Sequence, residues 1–320
     1  MSAEPLEVAT RLADIYGHAI EQPLMYPTGV AIAGRLRLAA HRQHDLADPI
    51  ARLVDGLVAD PEAVPDAAPS LAIACFADEL FAETNDLRHR DFLLALARRF
   101  RADPDIRVED FFFAGTLLGR AYALTGETSY RDQLVAFLRR IDTRQANGLY
   151  WHCHASPYFW GRGNAFAALG FAEALSYLDW RNDAADIAAT HREHLSALAS
   201  FQHASGLWHQ LIDDPTTYLE HSATTMIGYA IVRGLRAGWL PADPWRACAD
   251  RAWAGAAARI GTGGGLDQVC VGTGPLDSRQ AYVERPFSTG VDARGGAMAL
   301  WFAVEMTRLN ASMPGQGAKP

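Results

Sequence analysis

The chain has 320 residues, 49% of them hydrophobic and 21% charged, ordinary values for a globular protein and enough material for one large domain or two smaller ones. A formal net charge of −8 and the lack of a long basic run argue against nucleic acid as a partner, although one local arginine can still hold an anionic small molecule. No uncharged apolar run reaches the length of a membrane span, and MSAEPLEVATRLADIYG lacks the basic start and apolar core of a secretion signal, so no membrane association and a cytoplasmic location are expected.

Apolar residues recur at helical spacing almost throughout. The predicted helices run over roughly 5–20, 28–43, 46–59, 69–84, 88–101, 109–124, 129–141, 164–179, 183–201, 219–237, 243–259 and 292–309. Punctuation supports them. Gly126 in LTGETSY is a helix stop, with Thr128 or Ser129 as the next N-cap. Asp243 before Pro244 is an N-cap followed by proline at the first helical position, and Pro49 and Pro69 suit first turns. About twelve helices on short loops imply stacked antiparallel hairpins, and an (α/α)6 barrel uses twelve. A bundle with appendages or an open superhelical array is the alternative, and the missing sequence repeat disfavours the array. One domain over residues 1–310 is expected, with a polar, Gly/Pro-rich tail, 311–320, read as disordered. Residues 142–163 and 261–291 resist a helical reading. They are long loops rich in glycine, aromatic and polar residues, expected at one end of the barrel beside a pocket.

Chemistry concentrates in a few stretches. In RVEDFFFAGTLLGRAYALTG, helical spacing puts Asp110 on one face with Ala114, Leu117, Leu118 and Ala121. A carboxyl on an apolar face has a raised pKa and suits a general acid; the competing role at that position is an N-cap. In YFWGRGNAF, Gly161 and Gly163 flank Arg162, Trp160 and Phe166 offer flat faces, and a following helix N-terminus would join the guanidinium in holding a carboxylate or phosphate. The competing reading is a loop-packing arginine paired with an acid. In NGLYWHCHASPYF, the i, i+2 pair His152 and His154 lacks further metal ligands at a convincing distance, so no metal is expected and a histidine bonded to a polar ligand is preferred. Trp208 and His209 precede Glu220 and Ser222, which read equally as a helix cap. GTGGGLDQVCVGTG lacks the Lys-Ser/Thr of a phosphate loop, so nucleotide binding is rejected, and no cofactor is expected. The cysteines, Cys75, Cys153, Cys248 and Cys270, form no C-x-x-C pair and read as buried free thiols.

In order along the chain, VEDFFFAGTLLGRAYALTGETSY, GLYWH, FWGRGNAFAALGFAEAL, SGLWHQLIDD, YLEHSATTMIGYAIVRGLRAGWL, VCVGTGP and GGAMALWFAVE resemble the unsaturated uronyl hydrolases of glycoside hydrolase family 105, related to family 88. The resemblance covers roughly residues 105–306, with YPTGVAIAGRLRLA as a weaker match upstream. It implies an (α/α)6 barrel. It also implies a substrate with a 4,5-unsaturated uronic acid at its non-reducing end, hydrolysed by hydration of the vinyl ether rather than displacement at the anomeric carbon. Asp110 falls at the family's acid/base position and Arg162 at the arginine of W-x-R-G-N. Trp160 and Phe166 fall at the flanking aromatics and His152 at the histidine after GLYW. Asp66, in VPDAAPSLAIACF, is matched to a second family aspartate that orients the substrate. Tyr26, Trp208 and His209, which sit in or beside matching pieces, are expected to bind substrate. Three departures bear on the substrate: phenylalanine at 166 where tryptophan is usual, HCHAS in place of H-G-x-D, and a short chain. The expected partner is an anionic unsaturated oligosaccharide, and the chain is expected to be a monomer or homodimer. Two other functions stay open: another sugar enzyme on the same barrel, such as an epimerase or an inverting glycosidase needing a second carboxylate about 6.5–9.5 Å from Asp110, and a non-catalytic sugar-binding protein.

Overall fold

The computed structural model describes residues 3–312. Fourteen α-helices are present among them: α1 (Pro5–Ala13), α2 (Tyr26–Arg42), α3 (Ala47–Ala59), α4 (Ala68–Leu71), α5 (Ala77–Thr84), α6 (Leu87–Arg99), α7 (Val108–Thr125), α8 (Thr128–Arg140), α9 (Gly161–Leu175), α10 (Ala185–Ser200), α11 (His221–Ala237), α12 (Ala242–Ala257), α13 (Arg279–Val283) and α14 (Ala293–Ala311). Two antiparallel two-stranded pieces complete the set: β1 (Trp208–His209) with β2 (Leu219–Glu220), and β3 (Leu266–Cys270) with β4 (Phe287–Gly290). The tail expected over 311–320 begins inside α14, and residues 313–320 lie outside the described residues.

Packing closes the helices into two rings. The inner ring runs from α2 to the segment 68–84, then α7, α9, α11 and α14, and α14 returns to α2. The outer helices α1, α3, α6, α8, α10 and α12 lie against it in chain order. This is the twelve-helix α/α barrel expected. The inner helices are buried on nearly every face: all of α9 is buried, and so is α7 from Phe111 to Ala121. Small residues set the spacing. A Cβ at Gly170 of α9 would lie 2.3 Å from the Phe111 backbone, and one at Gly115 of α7 would lie 2.7 Å from the Gly170 carbonyl, so these two helices touch backbone to backbone.

The second inner element departs from the expected continuous helix over 69–84. It is α4, a 3-10 segment over Ala72–Phe76, and α5. The tighter segment presses the Ile73 carbonyl onto α2, where a Cβ at Gly29 would come within 2.1 Å. The first helix ends at Ala13 rather than near 20. The segment 261–291, read as loop, contains β3, α13 and β4. The punctuation is close to the expected one. Gly126 ends α7 at φ 68°, α8 begins at Thr128 after Glu127, and Asp243 is extended before Pro244. Among the described residues, no helix is long and apolar enough to cross a membrane, and all four cysteines are free and buried.

Candidate active site

A cavity of about 210 Å³ opens at the end of the barrel where α2, α7, α9 and α14 begin. Its wall includes Tyr26, Arg107, Glu109, Asp110, Phe113, Trp160, Arg162, Phe166, Arg294 and the backbone of Gly272–Gly274. The two long segments meet there: 142–163 contributes Trp160 and Arg162, and 261–291 contributes residues 272–274. They are stitched together behind the cavity, where the Tyr282 hydroxyl lies 2.7 Å from Ser156 Oγ and the Ser156 hydroxyl donates to the Leu276 carbonyl at 2.8 Å.

Asp110 is the third residue of α7 and is only 7% exposed. Its apolar face is as the spacing predicts, with Ala114, Leu117, Leu118 and Ala121 wholly buried. Its Oδ2 accepts from the Arg107 backbone N–H at 3.2 Å, so the carboxyl also secures the helix start, although Arg107 rather than Asp110 is the cap residue. Burial, followed by the neighbouring Glu109 charge, pushes its pKa up to about 7, and the bond from Arg107 opposes the shift only in part. A carboxyl poised at that value on a cavity wall can deliver a proton near neutrality and take one back.

Glu109 was not singled out from the sequence. It faces the same cavity, and His152 Nε2 lies 3.1 Å from its Oε1. His152 Nδ1 is in turn 2.5 Å from the Tyr282 hydroxyl. His152 is wholly buried and sits behind Glu109 rather than on the wall, so it meets the cavity through that carboxylate. The missed signal was the pairing of an acid at 109 with a histidine in the loop, which only the fold brings together.

Trp160, Phe166 and Tyr26, three of the residues expected to bind substrate, line the cavity. The Tyr26 ring centroid is 5.6 Å from those of Phe166 and Phe113. Arg162 also lines it, but its guanidinium is occupied. Nη1 donates to the Cys270 carbonyl, Nη2 donates to the Val271 carbonyl at 2.5 Å, and the group stacks 5.0 Å from the Trp160 ring centroid. Arg162 therefore pins the strand end that leads into Gly272–Gly274. The flanking glycines, Gly161 and Gly163, are not at positive φ. They allow close approach instead: α9 already starts at Gly161, where a Cβ would lie 2.3 Å from the His209 carbonyl, and one at Gly163 would lie 2.7 Å from a Val108 methyl.

Three expected site residues lie elsewhere. Asp66 has a side chain 77% exposed, held in a separate surface recess by Arg99 of the outer helix α6, whose Nε donates to it at 2.7 Å. Trp208 is wholly buried, with its indole N–H donating to the Leu198 carbonyl at 2.7 Å. The His209 Nδ1 is 2.6 Å from the Thr217 carbonyl, inside the β1–β2 turn. Glu220 has the capping role allowed for it, accepting from the backbone N–H groups of Ser222 and Ala223 and also from Cys270. His154 pairs with Asp142 at the surface, and no metal-ligating cluster of three or more His, Cys, Asp or Glu occurs among the described residues.

Comparison with known proteins places this geometry in context. The model of Glycosyl Hydrolase Family 88 matches residues 19–310. The unsaturated rhamnogalacturonyl hydrolase YesR of Bacillus subtilis is 29% identical over 192 residues, which cover 57% of this chain and 54% of that protein, so the chain spans about half the length of this curated relative. A possible member of the GH105 family from Salmonella enterica superposes with a TM-score of 0.82 at 19% identity, over 95% of this chain and 93% of that one. The unsaturated glucuronyl hydrolase of Bacillus sp. GL1 superposes with a TM-score of 0.69 at 15% identity, over 95% of both chains. At these identities the superpositions establish a common fold.

Proposed function

Because the chain belongs to Glycosyl Hydrolase Family 88, we propose that it removes a 4,5-unsaturated uronic acid from the non-reducing end of lyase-generated oligosaccharides. The observation that carries this reading is Asp110, a buried carboxyl with its pKa pushed up to about 7 on the wall of an aromatic, arginine-bearing cavity. The protonated Asp110 carboxyl gives its proton to C4 of the unsaturated ring. Positive charge develops at C5 and the ring oxygen. The Asp110 carboxylate then accepts a proton from water as the water oxygen bonds to C5, and the hemiketal opens to free the neighbouring sugar. One carboxyl suffices for both proton transfers, and the neighbouring Glu109 charge helps to keep that carboxyl protonated at rest. Tyr26, Trp160 and Phe166 shape the ring site, and Arg162 holds its Gly272–Gly274 wall.

An ordinary inverting mechanism is less well served. It needs two carboxyl groups on opposite sides of the sugar, whereas Glu109 and Asp110 are consecutive on one helix and Asp66 lies outside the cavity. The family relationship and YesR support the reaction class, and YesR, as an unsaturated rhamnogalacturonyl hydrolase, supports a uronyl substrate. The protein is expected to act without a metal or cofactor, as a cytoplasmic monomer or homodimer. The test is incubation with unsaturated uronyl disaccharides from pectin and glycosaminoglycan lyases. Enzyme-dependent loss of the ultraviolet absorbance of the conjugated double bond supports the proposal, and persistence of that absorbance on every disaccharide refutes it.

A further inference from the structure

Three arginines reach the cavity, and they are not equivalent. Arg107 is about half exposed, with Asp103 at 3.8 Å. Arg162 is buried, and its terminal nitrogens are spent on the carbonyls of Cys270 and Val271. Arg294, in the first turn of α14, is half-buried on the cavity wall, and no hydrogen bond or ion pair within the described residues engages its guanidinium. The nearest acid in sequence, Asp292, is committed elsewhere: its Oδ1 accepts from the Gly295 N–H at 2.9 Å and its Oδ2 from the Ser288 hydroxyl at 2.8 Å.

The surroundings hold this free cation in place. A Cβ at Gly272 would lie 3.1 Å from the Arg294 Nη2, so the guanidinium packs on the bare backbone of that glycine. The backbone is fixed from behind, by Arg162 at the Val271 carbonyl and by Arg285 at the Gly272 carbonyl. Tyr26, at the centre of the aromatic wall, is within electrostatic reach of Arg294, Arg162 and Glu109 together, which puts the unpaired guanidinium in the same space as the carboxyl pair. A partly desolvated guanidinium with all its donors unspent is a ready partner for a planar carboxylate, which it can engage through two parallel N–H···O bonds.

We infer that Arg294, rather than Arg162, receives the carboxylate of the sugar acid, and that Arg162 serves as the positioning residue that builds the glycine wall against which Arg294 rests. This assignment depends on the uronate reading of the site given above. It makes Arg294 the residue that discriminates an acidic sugar from its neutral counterpart.

The test compares the wild type with Arg294→Gln and Arg294→Lys on two probes, a lyase-generated unsaturated uronyl disaccharide and its methyl ester. Initial rates are measured directly, and dissociation constants in an Asp110→Asn background, where turnover is suppressed. The wild type is expected to prefer the acid. In Arg294→Gln that preference should fall about ten-fold or more in both measurements, and Arg294→Lys, which keeps the charge but not the fork, should fall between. Retention of the wild-type preference by Arg294→Gln, an equal loss on acid and ester, or no acid preference in the wild type would each overturn the assignment. If the wild type consumes no double bond but Arg294→Gln still abolishes acid-selective binding, the hydrolase reading fails and the carboxylate assignment stands.

Discussion

Replacing Asp110 by asparagine should damage activity and improve stability, and the structure sets both magnitudes. The side chain keeps its shape, and its remaining oxygen can still accept from the Arg107 N–H. What it would lose under the proposed mechanism is the proton delivered to substrate, a contribution of about 10²–10⁴-fold for a general acid–base group. The stability effect follows from the raised pKa. Between the ordinary value of 3.8 and the folded value of about 7 the folded protein holds a proton that the unfolded chain has released. The favourable contribution of that proton is complete below about pH 4 and is lost as pH rises through 7. Above pH 7 the buried charge disfavours folding by about three units at 1.36 kcal/mol each, roughly 4 kcal/mol as an upper bound. Asparagine removes that penalty. For a chain of 320 residues the unfolding entropy scales to about 0.7 kcal/mol/K, so the variant should melt up to about 6 °C higher at pH 8 and nearly level with the wild type at pH 4. Thermal unfolding at the two pH values, alongside initial rates, checks both halves. A variant with near wild-type rates would refute the acid role, and one that melts no higher, or lower, at pH 8 would refute the claim that Asp110 is an unfavourably buried carboxyl.

Two further substitutions probe the neighbourhood. Because the Glu109 charge is the second cause of the raised Asp110 pKa, Glu109→Gln should lower that pKa, and the alkaline limb of the pH–kcat/KM profile, which the wild type should show near pH 7, should move to lower pH; a limb that stays in place contradicts the coupling. Asp66→Asn should leave kcat/KM within about two-fold of the wild type, since an exposed ion pair outside the cavity contributes little; a loss of ten-fold or more would return Asp66 to the site.

The barrel was legible because inner and outer helices both carry apolar residues at helical spacing, and stops such as Gly126 mark the turns between them. Asp110 was legible for the same reason: spacing alone puts it among Ala114, Leu117, Leu118 and Ala121. Spacing gives no account of what a helix start faces. Glu109 and Arg294 reach the cavity only because α7 and α14 begin at the same end of the barrel, and the two residues are far apart in sequence. The 3-10 break over Ala72–Phe76 answers to the close approach at Gly29, a tertiary contact that local periodicity does not carry. Trp208 was expected to bind substrate because it sits in SGLWHQLIDD, a piece that carries the family resemblance. In the short strand β1 it turns inward to Leu198, and its indole N–H finds a backbone partner there. The arginine between glycines in YFWGRGNAF, expected to hold an anion, lies on the cavity wall, and its commitment to the carbonyls of Cys270 and Val271 depends on a strand more than a hundred residues away.

The most direct test of the central claim, that Asp110 protonates C4 of an unsaturated uronyl ring, is the reaction run in deuterium oxide with the product examined by NMR after the first turnovers. The account predicts an opened product that has lost the double bond and carries one deuteron at C4, in a single configuration, with the label absent when Asp110→Asn replaces the wild type. A released uronic acid that keeps its double bond and gains no deuterium would mean displacement at the anomeric carbon, and would contradict the account.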